Sequence, residues 1–226
     1  VTKKAKNDGV SASVEGGSFG SFGAQGRVQT AYAKGKWTHA YSASGGYKRS
    51  DGGTDNSDFE KGQGFGQVNL SYDQCFDINA QVGISTQSYG ANTFYSAKYN
   101  NQYEKTDHGM ASLNLSLHNQ EKTWEIAPQF YYNNFKDHYQ LIRGMAGAKA
   151  GENYHNLDVY GGGLNANVAW ALGKTAVGFD ISKECIYSTA LGEELAEKDY
   201  KDISGSDRQY TRKGERTNTN IMLEHN

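Results

Sequence analysis

The chain is nearly without proline, one residue in 226, and holds only two cysteines. A single pair cannot supply the multiply bridged framework of a small secreted domain, and Cys75 and Cys185 form no metal-ligand spacing with each other. No run of about 18 apolar residues exists, which excludes transmembrane helices but leaves transmembrane strands open, since each of those needs only about 10 alternating residues. Charge of one sign is also missing. Lys and Arg number 23 against 25 Asp and Glu, net −2, with no basic patch for a nucleic acid partner. Neither an H-E-x-x-H nor a G-x-S-x-G motif occurs, so nothing marks a metalloprotease helix or a nucleophile elbow.

What the chain does have is 28 Gly, 16 Tyr and a hydrophobic fraction of only 36%, a β-type composition in a length that one domain can use. The clearest pattern runs from Phe76 to His118. Phe76, Ile78, Ala80, Val82 and Ile84 alternate with Asp77, Asn79, Gln81, Gly83 and Ser85, and Ala111, Leu113, Leu115 and Leu117 alternate with Ser112, Asn114, Ser116 and His118. A period of two places successive side chains on opposite faces of a strand. The same period recurs along the chain, and the sequence predicts about ten strands. Their expected bounds include residues 10–17, 21–33, 37–48 and 63–72, with a bend at Pro128, because proline removes a ladder donor.

After the first hairpin the connections alternate as well. Short turns stand at Lys34, Asp73, Asn119 and Leu172. Long polar stretches are expected at residues 49–61, 89–108, 138–156 and 188–213. In a meander, alternate turns share one end, so short turns and long loops separate, which is the asymmetry of outer-membrane barrels. Tyr32, Trp37, Tyr72, Phe76, Trp124 and Trp170 all flank the short turns and are expected to form an interfacial ring. The opposite side carries Gln25, Arg27, Gln67, Asn69, Asn79, Gln81, Asn114, Gln129, Asn165, Asn167 and Asp180, a wet wall suited to a barrel interior. Cys75 lies at the short-turn end and Cys185 well above it, so no disulfide is expected.

Several segments carry a family resemblance. Gly16-Gly17-Ser18-Phe19-Gly20 resembles the first barrel hairpin of a TonB-dependent outer-membrane receptor, and Val1-Thr2-Lys3-Lys4 resembles the end of the plug that precedes it. Gly90-Ala91-Asn92-Thr93-Phe94-Tyr95-Ser96-Ala97-Lys98-Tyr99 and Asn101-Gln102-Tyr103-Glu104 are similar to a segment of cobalamin and siderophore receptors of Bacteroidetes type. So are His138-Tyr139-Gln140-Leu141-Ile142-Arg143, Tyr154-His155-Asn156 and Tyr187-Ser188-Thr189-Ala190-Leu191-Gly192. The resemblance implies an all-β, antiparallel up-and-down transmembrane meander, residues 1–226 forming the first part of a barrel of about 22 strands. The plug is absent from this stretch, which reads as an interior piece.

The resemblance further implies a bacterial outer-membrane receptor that binds a scarce nutrient, cobalamin, an iron-siderophore or haem, at its outer loops. Its partners would be outer-membrane lipid, the nutrient, and the TonB energy-coupling protein acting through the missing plug. No cofactor and no catalysis are expected. Phe94, Tyr95, Tyr99 and Tyr103 can stack on a flat ligand, and Arg143 completes the candidate binding set. Asp51, Asp55, Asp58 and Glu60 can hold Ca²⁺, and His138 and His155 can face a haem iron, although a solvated loop and ordinary hydrogen-bonded histidines account for them as well. Two other classes remain. One is a self-contained ten-stranded outer-membrane enzyme with Asp107, His108, Asp137 and His138 activating water. The other is an adhesion barrel.

Overall fold

The computed structural model describes residues 4–226, so Val1, Thr2 and Lys3 of the plug-like lead-in lie outside the described residues. Ten long strands run as β1 (Gly9–Gly16), β2 (Phe22–Lys34), β3 (Trp37–Ser50), β4 (Phe59–Tyr72), β5 (Phe76–Asn92), β6 (Gln102–His118), β7 (Trp124–Gln140), β8 (Glu152–Trp170), β9 (Gly173–Ser188) and, after a long connection, β13 (Arg212–His225). That connection holds three two-residue strands, β10 (Glu193–Glu194), β11 (Lys201–Asp202) and β12 (Gln209–Tyr210). Every long strand pairs antiparallel with its neighbour in chain order, β13 following β9, and β10 adds a short outermost pairing to β13. The sheet does not close: β1 and β13 are not paired with each other. No described helix is long and apolar enough to cross a membrane, which leaves crossing by strands untouched.

Register converts the alternation of single strands into two faces of one sheet, because residues opposite each other in a ladder share a face. Leu117, Ile126, Ala166, Val177 and Leu223 form one cross-strand row, and Leu115, Pro128, Leu164, Phe179 and Ile221 the next. Across β1 to β5 the same side carries Val10, Val28, Ala43, Gly66 and Val82. This apolar side is the open one, with Ile84 71% and Ile221 82% exposed, whereas on the polar side Gln67 is 5% and His118 3% exposed. The sheet therefore curves around its polar face, the reverse of a soluble β protein, whose apolar face is the enclosed one. An amide network lines the enclosed side: Asn79 Nδ2 donates to Asn69 Oδ1 at 2.6 Å and Gln81 Nε2 to Asn79 Oδ1 at 2.7 Å.

All six expected ring aromatics fall on the open apolar face at the short-turn end. Trp37 pairs with Tyr72 and Tyr72 with Phe76, Tyr32 stands opposite His39, Trp124 opposite Val168, and Trp170 at the β8–β9 turn. At the other end the apolar rows stop at Tyr132 and Tyr160, stacked with centroids 5.0 Å apart. In β5 the band runs from Phe76 to Ile84, eight steps, roughly 27 Å along the strand and about 20 Å when tilted by about 40°.

The expected alternation of connections holds, with one correction. The long connections shrink to residues 51–58, 93–101 and 141–151, because β3 to β9 run several residues farther than hydropathy marks them. Beyond the apolar band both faces are polar, so the period of two loses its contrast while the backbone ladder continues. Tyr103, His138, Tyr154 and Tyr187, expected in or beside loops, are strand residues. At Pro128, where a bend is expected, β7 keeps its register on both sides. The β6–β7 ladder lapses only opposite it, between Asn114–Gln129 and Leu117–Ile126, where the missing amide falls.

Candidate functional site

At the long-connection end, the segment joining β5 to β6 carries Phe94, Tyr95 and Tyr99. Its shape is held by Gln102, fully buried at the start of β6. Gln102 Nε2 lies 3.0 Å from the Asn92 carbonyl, 3.1 Å from that of Ser96 and 2.7 Å from that of Tyr99, while its Oε1 accepts from the Tyr139 hydroxyl at 2.9 Å. The Gln102 carbonyl in turn accepts from Asn56 Nδ2 at 2.6 Å. One side chain thus ties three points of the aromatic connection to β7.

Phe94 projects from this frame, 79% exposed, with its ring edge-on to Tyr95 at 4.9 Å. Tyr95 packs edge-on against Tyr139 at 5.4 Å and hydrogen-bonds Glu104 together with Tyr89. In register, Tyr89, Glu104 and Tyr139 face the enclosed side. Tyr103 faces the other way. Arg143 lies over its ring at 4.9 Å, donates through Nη1 and Nη2 to Asp58 at 2.6 and 2.9 Å, and through Nη1 to Asn56 Oδ1 at 3.1 Å. The five sequence-predicted residues therefore separate into an exposed aromatic pair on the enclosed side, a clamp of Tyr103 and Arg143 on the open side, and Tyr99, whose carbonyl anchors Gln102. The Arg143 guanidinium beside Asp58 holds its carboxyl below the usual range.

A second knot gathers at Glu152, the first residue of β8 and nearly fully buried. Its carboxylate accepts from Gly147 N at 2.7 Å, Tyr154 Oη at 3.0 Å and Gln140 Nε2 at 3.2 Å, with His138 Nε2 at 2.8 Å and Arg208 Nη1 at 3.4 Å. Burial pushes this carboxyl up, but the bonds from Gly147, His138, Tyr154 and Gln140 outweigh it and hold it at about 2. Neither Gln102 nor Glu152 carries a sequence signal as a knot; the partners that make them so come from other strands.

The remaining candidates are placed as follows. His138 belongs to the Glu152 knot on the open side. His155 faces the enclosed side, with Nδ1 2.8 Å from Ser188 Oγ, so the two histidines do not share a space for one iron. Asp137 Oδ2 lies 4.0 Å from His155 Nε2, which completes a serine–histidine–aspartate chain in outline. Ser188 is fully buried, however, and its Oγ accepts from Ala190 N and Leu191 N at 2.8 and 2.7 Å, the hydrogen bonding of a turn. Asp51 pairs with Arg49 and Asp58 with Arg143, and among the described residues no group of three or more His, Cys, Asp or Glu is placed to hold a metal ion. Cys75 and Cys185 are free. No protein-family model, curated protein or solved structure matches this chain.

Proposed function

We propose that this chain is part of the wall of a larger outer-membrane β-barrel of the TonB-dependent receptor type. The observation that carries the reading is the inverted sheet: an exposed apolar band bounded by an aromatic row at the short-turn end and by the stacked Tyr132–Tyr160 pair at the other, wrapped around an amide-lined polar face. Outer-membrane barrels present an outward apolar band about 25 Å tall between aromatic girdles and keep short turns at one end. In water, such a face would be a large aggregation-prone patch, and lipid is the solvent that suits it.

On this reading the long connections lie outside the cell. They bind a scarce nutrient such as cobalamin, an iron-siderophore or haem for energy-coupled uptake, with TonB acting through a plug beyond this stretch. Phe94, with Tyr95 behind it, is the contact surface that the connection offers a flat ligand. Tyr99, Tyr103 and Arg143 hold that surface in place. Binding of this kind is gated recognition, with no covalent step.

The test uses the intact protein in phosphatidylcholine vesicles. Trp37, Trp124 and Trp170 are expected to be quenched most by lipids brominated near the headgroup and least by those brominated at the chain ends. Fluorescence indifferent to bromine position sinks the membrane reading. Titration with each nutrient then follows, and Phe94→Ala is expected to weaken the bound one about tenfold, the scale of one aromatic contact.

A further inference from the structure

The open face carries a cavity of about 620 Å³ just beyond the apolar band, at the long-connection end. Its floor is formed by β6 to β9, with Lys105 opposite His138 and Lys136 opposite Asn156. Its roof is the β11–β12 hairpin, which brings Lys201 over the Tyr187 ring at 3.9 Å. All three lysines are exposed, and none of them reaches a carboxylate within 4.0 Å among the described residues, unlike Lys183 and Lys213 next to them, which both pair with Glu215. Four carboxylates share the lining: Asp137 is turned to the enclosed side of β7, one of its oxygens without a hydrogen-bond partner, and the other three are hydrogen-bonded to neutral groups or lie farther off. Asp158 accepts from Tyr132 Oη at 2.7 Å and Asn134 Nδ2 at 2.9 Å, and Asp202 from Gln209 Nε2 at 2.8 Å. Asp107 stands opposite Lys136 in register without meeting it within 4.0 Å.

Height identifies what can enter. The last row of the band on these strands is Ala111, Tyr132 and Tyr160, and Lys136 lies two rows above it, four residues or about 13 Å along the strand. At the same tilt of about 40° that is about 10 Å of height; a band about 20 Å tall centred in a hydrocarbon core about 30 Å thick leaves about 5 Å of core above it, so Lys136 stands about 5 Å into the headgroup layer. Three unpaired ammonium groups around an opening toward lipid suit a doubly charged phosphate, to which lysine binds as a point charge. The tyrosine row beneath gives acyl chains an apolar wall.

We propose that this cavity seats the phosphate headgroup of a phosphorylated outer-leaflet lipid, held by Lys105, Lys136 and Lys201. The site rests on the membrane reading above, and it is separate from the nutrient surface, which faces the enclosed side. The β11–β12 hairpin is part of it, so lipid occupancy orders the longest connection of the chain.

The test compares the intact protein with a Lys105→Ala, Lys136→Ala, Lys201→Ala variant and with the matching triple arginine variant. Each is reconstituted in phosphatidylcholine vesicles containing phosphatidic acid, extracted gently, and its bound lipid counted by native mass spectrometry. The alanine variant is expected to retain about tenfold less phosphatidic acid, with phosphatidylcholine unchanged and the arginine variant near the parent. Equal phosphatidic acid retention by parent and alanine variant overturns the site. Glycerol phosphate displacing the lipid at equal concentration also overturns it, because the cavity then selects a soluble phosphate. Tryptophan quenching in pure phosphatidylcholine is read beside it: quenching without headgroup selectivity overturns only this site, and absence of quenching overturns both it and the membrane reading.

Discussion

At the scale of residues, two side chains hold the long-connection end together. Gln102 shares the two hydrogens of one amide among three carbonyls at and beyond the end of β5, so Gln102→Leu leaves those acceptors and the Tyr139 hydroxyl without this partner. Each such orphan costs about 1–3 kcal/mol. Hydrogen exchange of residues 92–99 is expected to rise by tenfold or more in the variant, and unchanged protection there would show that the connection is held by other contacts. Glu152 makes a prediction about acid. Its folded carboxyl, at about 2, lies below its ordinary value of 4.5, so its stabilisation is complete above that value and is lost as pH falls from about 4.5 toward 2. Glu152→Gln removes this contribution at every pH. Acid titration of near-ultraviolet dichroism is expected to show the parent losing tyrosine order across that window and the variant with little order there to lose. Asp58 acts in the same direction, since pairing with Arg143 lowers it. The pair is part exposed, so Arg143→Ala is expected to disturb the Tyr103 clamp with only a small loss of overall stability.

At the scale of elements, strands were legible where one face is apolar and the other polar. Phe76–Ile84 and Ala111–Leu117 stand in the structure on the faces and in the relative register their alternation implies. The upper ends of β3 to β9 were not legible, because residues such as Lys105 and Asp107 leave hydropathy nothing to alternate. The separation of Tyr103 from Tyr95 follows from the same extension: once β6 begins at Gln102, adjacent residues must face oppositely. Leu113 sits mid-band opposite Ala80, and Leu113→Arg is expected to cost about 2–4 kcal/mol in urea unfolding from vesicles, with Leu115→Arg, one row nearer the aromatic end, costing less. A cost near zero would mean that this face does not meet lipid. On the enclosed face, the Tyr131 ring crosses β8 to place its hydroxyl 3.3 Å from Asp180 Oδ1, where a Cβ on Gly161 would run into that ring. Gly161→Val is expected to break this bridge and lower the unfolding midpoint, while Tyr131→Phe, which keeps the packing, has the smaller effect.

At the scale of the whole molecule, the sheet leaves β1 and most of β13 unpaired along their outer edges, and Val10 and Ile221 beside those edges are among its most exposed apolar residues. Unpaired edges of this length invite pairing with further strands or with another copy. Residues 1–226 expressed alone are expected to aggregate or self-associate in detergent; a stable monomer with both edges protected from exchange would show that the sheet needs no continuation. The sequence by itself determined the strand alternation, the segregation of short turns from long connections and the level of the lower aromatic ring, because each depends on spacing along one chain. Only the tertiary structure decided which face is enclosed, that Arg143 is clamped to Asp58, and that Gln102 and Glu152 are knots, because curvature and register bring together residues that lie tens of positions apart in the chain.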